Sequence, residues 1–324
     1  MSTLGTWSFP ERLQPRQEQL HFDLETALQS VVLVHAEVPE SAFTAAVLGT
    51  ERLGHGVVIG ADGLVLTIGY LITEAESIWL TTSNGAVLPG YLAGYDQVTG
   101  FGLIQPLGRL DAPAMARGCS AAASVGEGVT VIGHGGLGHA LEAKLIAKRQ
   151  FAGYWEYLLE EALFTAPAHP QWAGTALVGR DGRLLGVGSL LVQETRDSHS
   201  TDANMFVPID LLEPILQDML RLGRPSHAAR PWLGMYATAL EGVLVVGGLT
   251  RGGPAQRAGM RLGDVLLEVA GEPVSDLAGM LRKLWSVGPA GSRIAVTVGR
   301  GGNISHLSVQ SADRSDYLTK PRTH

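Results

Sequence analysis

One cysteine stands in 324 residues, so Cys119 has no partner for an internal disulfide. It is expected to be a small buried hydrophobe and not a reactive thiol. Aromatic residues are scarce at 6%, and charged residues make up only 17%. Positive charge is short too: 24 Lys and Arg against 31 Asp and Glu leave a net charge of −7. Without a sustained basic patch to displace phosphate counterions, nucleic acid is excluded as a main partner. Long apolar runs are also missing. The stretch from Val57 to Ile72 is broken by Asp62 and glycines and falls short of a membrane span. The first residues, Met1 to Gln19, mix Pro10, Glu11, Arg12, Pro15 and Arg16 with no apolar run, which does not fit a secretory signal. On that ground the expected location is the cytoplasm.

What the chain has in quantity is glycine, 42 residues, within a hydrophobic content of 45%. That balance excludes disorder for most of the chain, and the length allows two or three domains with cores of their own. The apolar segments are short and rich in Val and Leu, which points to many strands and many turns. After an arm over residues 1–24, Ser30–Val34 reads as a strand and Ala45–Leu48 as a possible second. Gly56–Thr67 is the clearest hairpin, turning at Asp62-Gly63, a pair that reaches positive φ without strain. Ser77–Thr81 and Ala86–Leu92 form another, and Phe101–Pro106 closes the set. About six strands within some eighty residues, without alternating helices, suit a small antiparallel barrel. Residues 118–206 repeat the style, and Leu211–Leu222 follows with helical spacing, a capping pair at Asp210 and Glu213, and Gly223 at its end.

Two small barrels and a helix over 25–223 are the order of a trypsin-like domain. A polar, proline-containing connector at 224–230 separates it from 231–312, where strands alternate with a short helix at Pro254–Gly259 and a longer one at Ser275–Ser286. Residues 313–324 read as a tail. The fold class is therefore mainly β: a trypsin-like double β-barrel followed by a smaller α+β domain.

Gly54-x-Gly56-Val-Val-Ile, Asp62-Gly63-Leu-Val-Leu-Thr67, Gly94-x-Asp96-x-x-Thr99 and the block from Thr165 to Val187 stand in an order that resembles the HtrA/Deg proteases. Gly252-Gly-Pro-Ala255-x-x-Ala258-Gly-Met260-x-x-Gly263-Asp-Val-Leu266 resembles the PDZ domain that follows them. Together these stretches span roughly residues 30–310. The resemblance implies a serine-type peptidase whose triad would fall on three positions. This chain places Tyr70 in the histidine frame, Gly100 in the aspartate frame and Ala173 in the serine frame, with Gln171 and Trp172 in the oxyanion loop. A triad needs a nucleophile, a base within hydrogen-bond reach and a carboxylate to orient the base. Tyr70 is a poor base near neutral pH, and Gly100 and Ala173 offer no functional atoms.

The expectation is thus an inactive HtrA-like pseudoprotease that binds peptides or protein C-termini as a scaffold, adaptor or chaperone-like factor in protein quality control. An endopeptidase with a rebuilt centre around His169, Thr175 or Ser189 is the alternative. A metal- or small-ligand module using His134, His139 and His55 is a third, although no nearby carboxylate or thiol completes such a site. No cofactor or metal is expected. The aromatic and acidic run from Phe151 to Phe164 is expected to pack between barrels or to rebuild the old cleft together with Tyr70 and Trp172. By resemblance the PDZ carboxylate loop is Trp232-Leu233-Gly234-Met235, with Met280, Leu281 and Leu284 lining the groove. Family analogy also allows a homotrimer.

Overall fold

The computed structural model describes residues 7–196 and 199–319. They divide into two units. Among the described residues the first comprises 7–149, 161–196, 199–226 and Thr319; the second comprises Gln150–Glu160 and His227–Leu318. This departs from the sequence boundaries in one important place. The segment 150–160, which the sequence order puts in the middle of the trypsin-like domain, belongs to the second unit, as do residues 313–318 of the expected tail.

In the first unit a short helix, α1 (Leu24–Gln29), is capped by Asp23, whose carboxylate accepts the Glu25 amide. Strands β1 (Val31–Glu37), β2 (Glu51–Val58), β3 (Val65–Ile68), β4 (Ser77–Thr81), β5 (Val87–Tyr95) and β6 (Phe101–Pro106) close a barrel in the order β1-β2-β3-β6-β5-β4. Its interior is filled by side chains, as a six-stranded barrel requires, with Val31, Val34, Leu66, Leu80, Leu103 and Ile104 fully buried. Ala45–Leu48 is a one-turn helix, α2, and not the expected strand.

A second barrel follows: β7 (Gly128–Ile132), β8 (Ala140–Gly153), β9 (Tyr157–Ala166), β10 (Ala176–Val178), β11 (Leu184–Arg196) and β12 (His199–Pro208). It closes in the order β10-β11-β12-β9-β8-β7 around Val131, Leu141, Leu145, Leu163, Leu177 and Phe206. The arm does pack here. Phe9 is buried in this core and its amide donates to the Gly138 carbonyl. Helix α3 (Glu213–Leu222) ends at Gly223 as expected, but Asp210 does not cap it. The Asp210 carboxylate instead accepts the amides of Ser120 and Ala121 at 3.1 and 2.8 Å. Cys119 is exposed beside it, which corrects the buried reading.

The second unit carries β13 (Met235–Leu240), β14 (Val243–Leu249), α4 (Pro254–Arg257), β15 (Val265–Val269), β16 (Glu272–Pro273), α5 (Leu277–Ser286), β17 (Arg293–Arg300) and β18 (Asn303–Gln310). Its sheet runs β13-β14-β15-β17-β18, with β16 paired to β15. Asp276 caps α5 by accepting the Gly279 amide. No helix among the described residues is long and apolar enough to cross a membrane.

Each barrel depends on an unbroken interior. Phe206→Ala would empty the middle of the second barrel, where the ring is fully buried. The expected loss is about 3–5 kcal/mol of unfolding free energy, read from urea denaturation.

Candidate functional site

The loop from His169 to Thr175 is held by main-chain bonds more than by side chains. The Ala173 carbonyl accepts the His55 amide at 2.8 Å, and the Gly174 amide donates to Gly188 O at 2.8 Å. The Trp172 carbonyl accepts both the amide and the hydroxyl of Thr175. Gly174 sits at φ +77°, and a Cβ there would lie 1.8 Å from His55 O, so only glycine fits. The loop thus keeps its shape with a methyl group at its tip.

The other two frame positions have structural work. The Tyr70 hydroxyl donates to Ser189 O at 2.7 Å, and burial of that hydroxyl raises its pKa further, away from any role as a base. The Tyr70 carbonyl is held by the buried Arg52 guanidinium, which also donates to Thr73 O. Gly100 occupies a turn at φ +82°, its amide donating to Asp96 O. Asp96, the nearest carboxylate in sequence, accepts the Thr99 amide and hydroxyl and is spent on that turn.

His55, His134, His139 and His169 gather behind the loop. The His169 and His55 rings lie 6.0 Å apart, and Trp7 and Phe9 pack edge-on against His169. The hydrogen-bond network assigns the tautomers. His169 Nδ1 accepts the Gln171 amide, so Nε2 carries the proton and faces His139 O. His55 Nδ1 likewise accepts the His134 amide. Burial pushes His55 down to about 3, helped by its histidine neighbours. Burial also pushes His169 down to about 4, against the hydrogen bond to His139. Neither offers a free lone pair: both His169 ring nitrogens are engaged, and His55 spends its Nδ1 lone pair on the His134 amide, which leaves the proton on Nε2. Among the described residues no group of three or more His, Cys, Asp or Glu could hold a metal ion. The cleft is not packed shut, however. A cavity of about 220 Å³ borders Ala173, lined by Leu33, Leu53, His55, Gln171 and Trp172.

Of the aromatic run, the part from Gln150 to Glu160 belongs to the second unit. There Trp155 stacks on Tyr157, and Tyr154 packs against Tyr236. The turn at its tip ends in Glu156 at φ +61°, an unfavourable conformation for a residue with a side chain. That turn aims the carboxylate into the loop 232–235. Glu156 accepts the amides of Leu233 at 3.0 Å, Gly234 at 2.7 Å and Met235 at 3.1 Å. Gly234, at φ +70°, bends the backbone so that the three N–H groups converge, forming an anion nest. Burial pushes the Glu156 carboxyl up to about 7, while the three amides pull it down. Met280, Leu281 and Leu284 are fully buried, in one core with Leu158. Of the residues named from sequence, Trp232 is buried with its ring 4.7 Å from that of Tyr317, and Leu233, Gly234 and Met235 present converging amides. Glu156 was missed. Its only sequence signal is its place in an unusually aromatic and acidic run.

Residues 54–187 match the trypsin-like peptidase domain family, and residues 231–310 match the PDZ domain family. The chain carries a trypsin-like peptidase domain followed by one PDZ domain, and similar curated proteins are named as DegS- and DegP-type serine endoproteases. The serine endoprotease DegS of Haemophilus influenzae is 25% identical over 272 residues, covering 81% of this chain and 77% of the relative. A probable periplasmic DegP-like serine endoprotease of Halomonas elongata is 26% identical over 282 residues, 82% of this chain and 57% of the relative. The chain thus spans a little over half the length of that DegP-like relative. The solved HtrA-type protease AlgW with decapeptide shares the fold, with a TM-score of 0.54 and 21% identity over 93% of this chain and all of that one. The periplasmic names of the DegP-like relatives overturn the cytoplasmic expectation and point to the periplasm.

The histidine values carry a sign. Both fall below the unfolded value of about 6.5, so the unfolded chain takes up protons first as pH drops. Stability from these groups is complete above 6.5 and declines towards 4, by about 1.4 kcal/mol per pH unit for each. Glu156, raised above its unfolded value, acts oppositely, losing stability as pH rises towards 7. Imidazole ¹⁵N spectra at pH 5 are expected to show His55 and His169 still neutral, with the proton on Nε2.

Proposed function

We propose that this HtrA-type protein is a pseudoprotease that binds peptides or protein C-termini through its PDZ domain, as a scaffold, adaptor or chaperone-like factor. One observation carries the reading: the loop that would present a nucleophile holds Ala173, and the Tyr70 and Thr175 hydroxyls and the His169 ring are committed to other partners. Tyr70 donates to Ser189 O, Thr175 donates to Trp172 O, and His169 spends both ring nitrogens. Catalysis by a triad acts as a unit, and its loss costs about 10⁶ in turnover, of which oxyanion binding recovers a small part. The converging amides of residues 233–235 support the binding half of the reading, since such a nest is what captures a terminal carboxylate.

The relatives' names favour a second reading, an endopeptidase with a non-standard centre. Fluorophosphonate labelling followed by peptide mass spectrometry separates the two. No adduct is expected on any Ser or Thr, and casein is expected to be cleaved no faster than without protein. A specific adduct would establish the endopeptidase. Ala173→Ser alone is expected to stay silent in both assays, because Tyr70 cannot take the serine proton. Turnover should remain roughly 10⁶-fold below that of an intact triad.

A further inference from the structure

We infer that the segment Gln150–Glu160 is a built-in ligand of the PDZ groove, with the Glu156 side chain standing in for a partner's terminal carboxylate and masking the loop until the segment detaches. The inference rests on the peptide-binding reading above and adds what occupies the site.

Three independent contacts reproduce what an external C-terminus would make. The carboxylate takes the amides of Leu233, Gly234 and Met235. The Tyr154 carbonyl accepts the Ala237 amide at 3.3 Å, one main-chain bond on the edge strand β13, where an added strand would run. Leu158 is 6% exposed and packs in one cluster with Leu233, Met235, Met280, Leu281 and Leu284, as a terminal apolar side chain would. One occupant therefore supplies charge, strand edge and apolar anchor. Two features mark the arrangement as one that can release. Glu156 is held at φ +61°, a strained backbone state that persists only while its contacts do. The outer clasp is polar and exposed: Arg282 on α5 bonds Glu160 and Gln150 at the two ends of the segment. The competitor this geometry fits is a free C-terminus ending in an aliphatic residue, since it must replace Glu156 and Leu158 together.

The test uses the full chain, Glu156→Ala and Arg282→Ala. Arg282→Ala loosens the clasp while leaving the nest intact, which keeps the inference testable if Glu156→Ala fails to fold. Hydrogen exchange at the amides of Leu233, Gly234, Met235 and Ala237 reads the masking directly. Faster exchange is expected in both variants, about tenfold or more for Glu156→Ala; unchanged exchange in both would overturn the inference. The second readout is fluorescence anisotropy with a labelled hexapeptide ending in Tyr-Ala-Leu with a free carboxylate, and with its C-terminal amide. Apparent affinity falls with the fraction of open groove, so the acid is expected to bind Glu156→Ala about tenfold more tightly than the parent, and the amide to bind neither. Equal affinity of parent and variants for the acid overturns the masking. Accelerated exchange without peptide binding in any form supports the masking and overturns the peptide-binding reading on which it rests.

Discussion

The approach of Gly174 to the His55 carbonyl governs the first unit. The loop after His169 lies so close to β2 that the Ala173 carbonyl accepts the His55 amide and no Cβ fits at residue 174. The Thr67 hydroxyl takes the same His55 carbonyl from β3, tying the loop, β2 and β3 at one point. None of these atoms belongs to a catalytic side chain. The frame of a peptidase loop can therefore persist with alanine at its tip, since backbone hydrogen bonds and close packing keep it and chemistry does not. The buried histidines behind the loop act in the same sense. Low pKa values keep them neutral, and neutral imidazoles with fixed tautomers serve as hydrogen-bonding core residues.

The second unit is organised around a buried carboxylate. An ionised Glu156 placed in an apolar interior would be costly, and the three amides of residues 233–235 are what make its burial tolerable. On the proposed reading, the nest that accommodates Glu156 is also the feature that would take a partner's terminus, and the balance between the two rests on contacts along a short segment with an exposed clasp.

Local signals were legible. Asp62-Gly63 turns between β2 and β3, Asp276 caps α5 and Gly223 ends α3, each from chemistry within a few residues. Periodicity marks the barrel strands, and the resemblance of the glycine-containing motifs to those of HtrA/Deg proteases implies the peptidase and PDZ frames. The failures share a cause. Asp210 looked like a helix cap three residues before Glu213, but the amides of Ser120 and Ala121, some ninety positions away, compete for its carboxylate and win. Ala45–Leu48 has strand-like composition yet forms a turn of helix, next to Thr44, whose amide and hydroxyl go to Glu74. Cys119 was assigned by its residue type, whereas its exposure depends on neighbours from the far end of the domain.

By itself the sequence determined the two frames, their order, and the residues at positions 70, 100 and 173, because turns, caps and strand alternation are encoded within a few residues. Tertiary structure alone decided that Glu156 meets Leu233 across 77 positions, and that residues 150–160 of the aromatic run belong with the PDZ sheet. Pairing a carboxylate with a distant nest leaves no periodicity in the chain. It arises when folding brings unrelated segments together, and desolvation then admits only those arrangements in which the buried charge finds its donors.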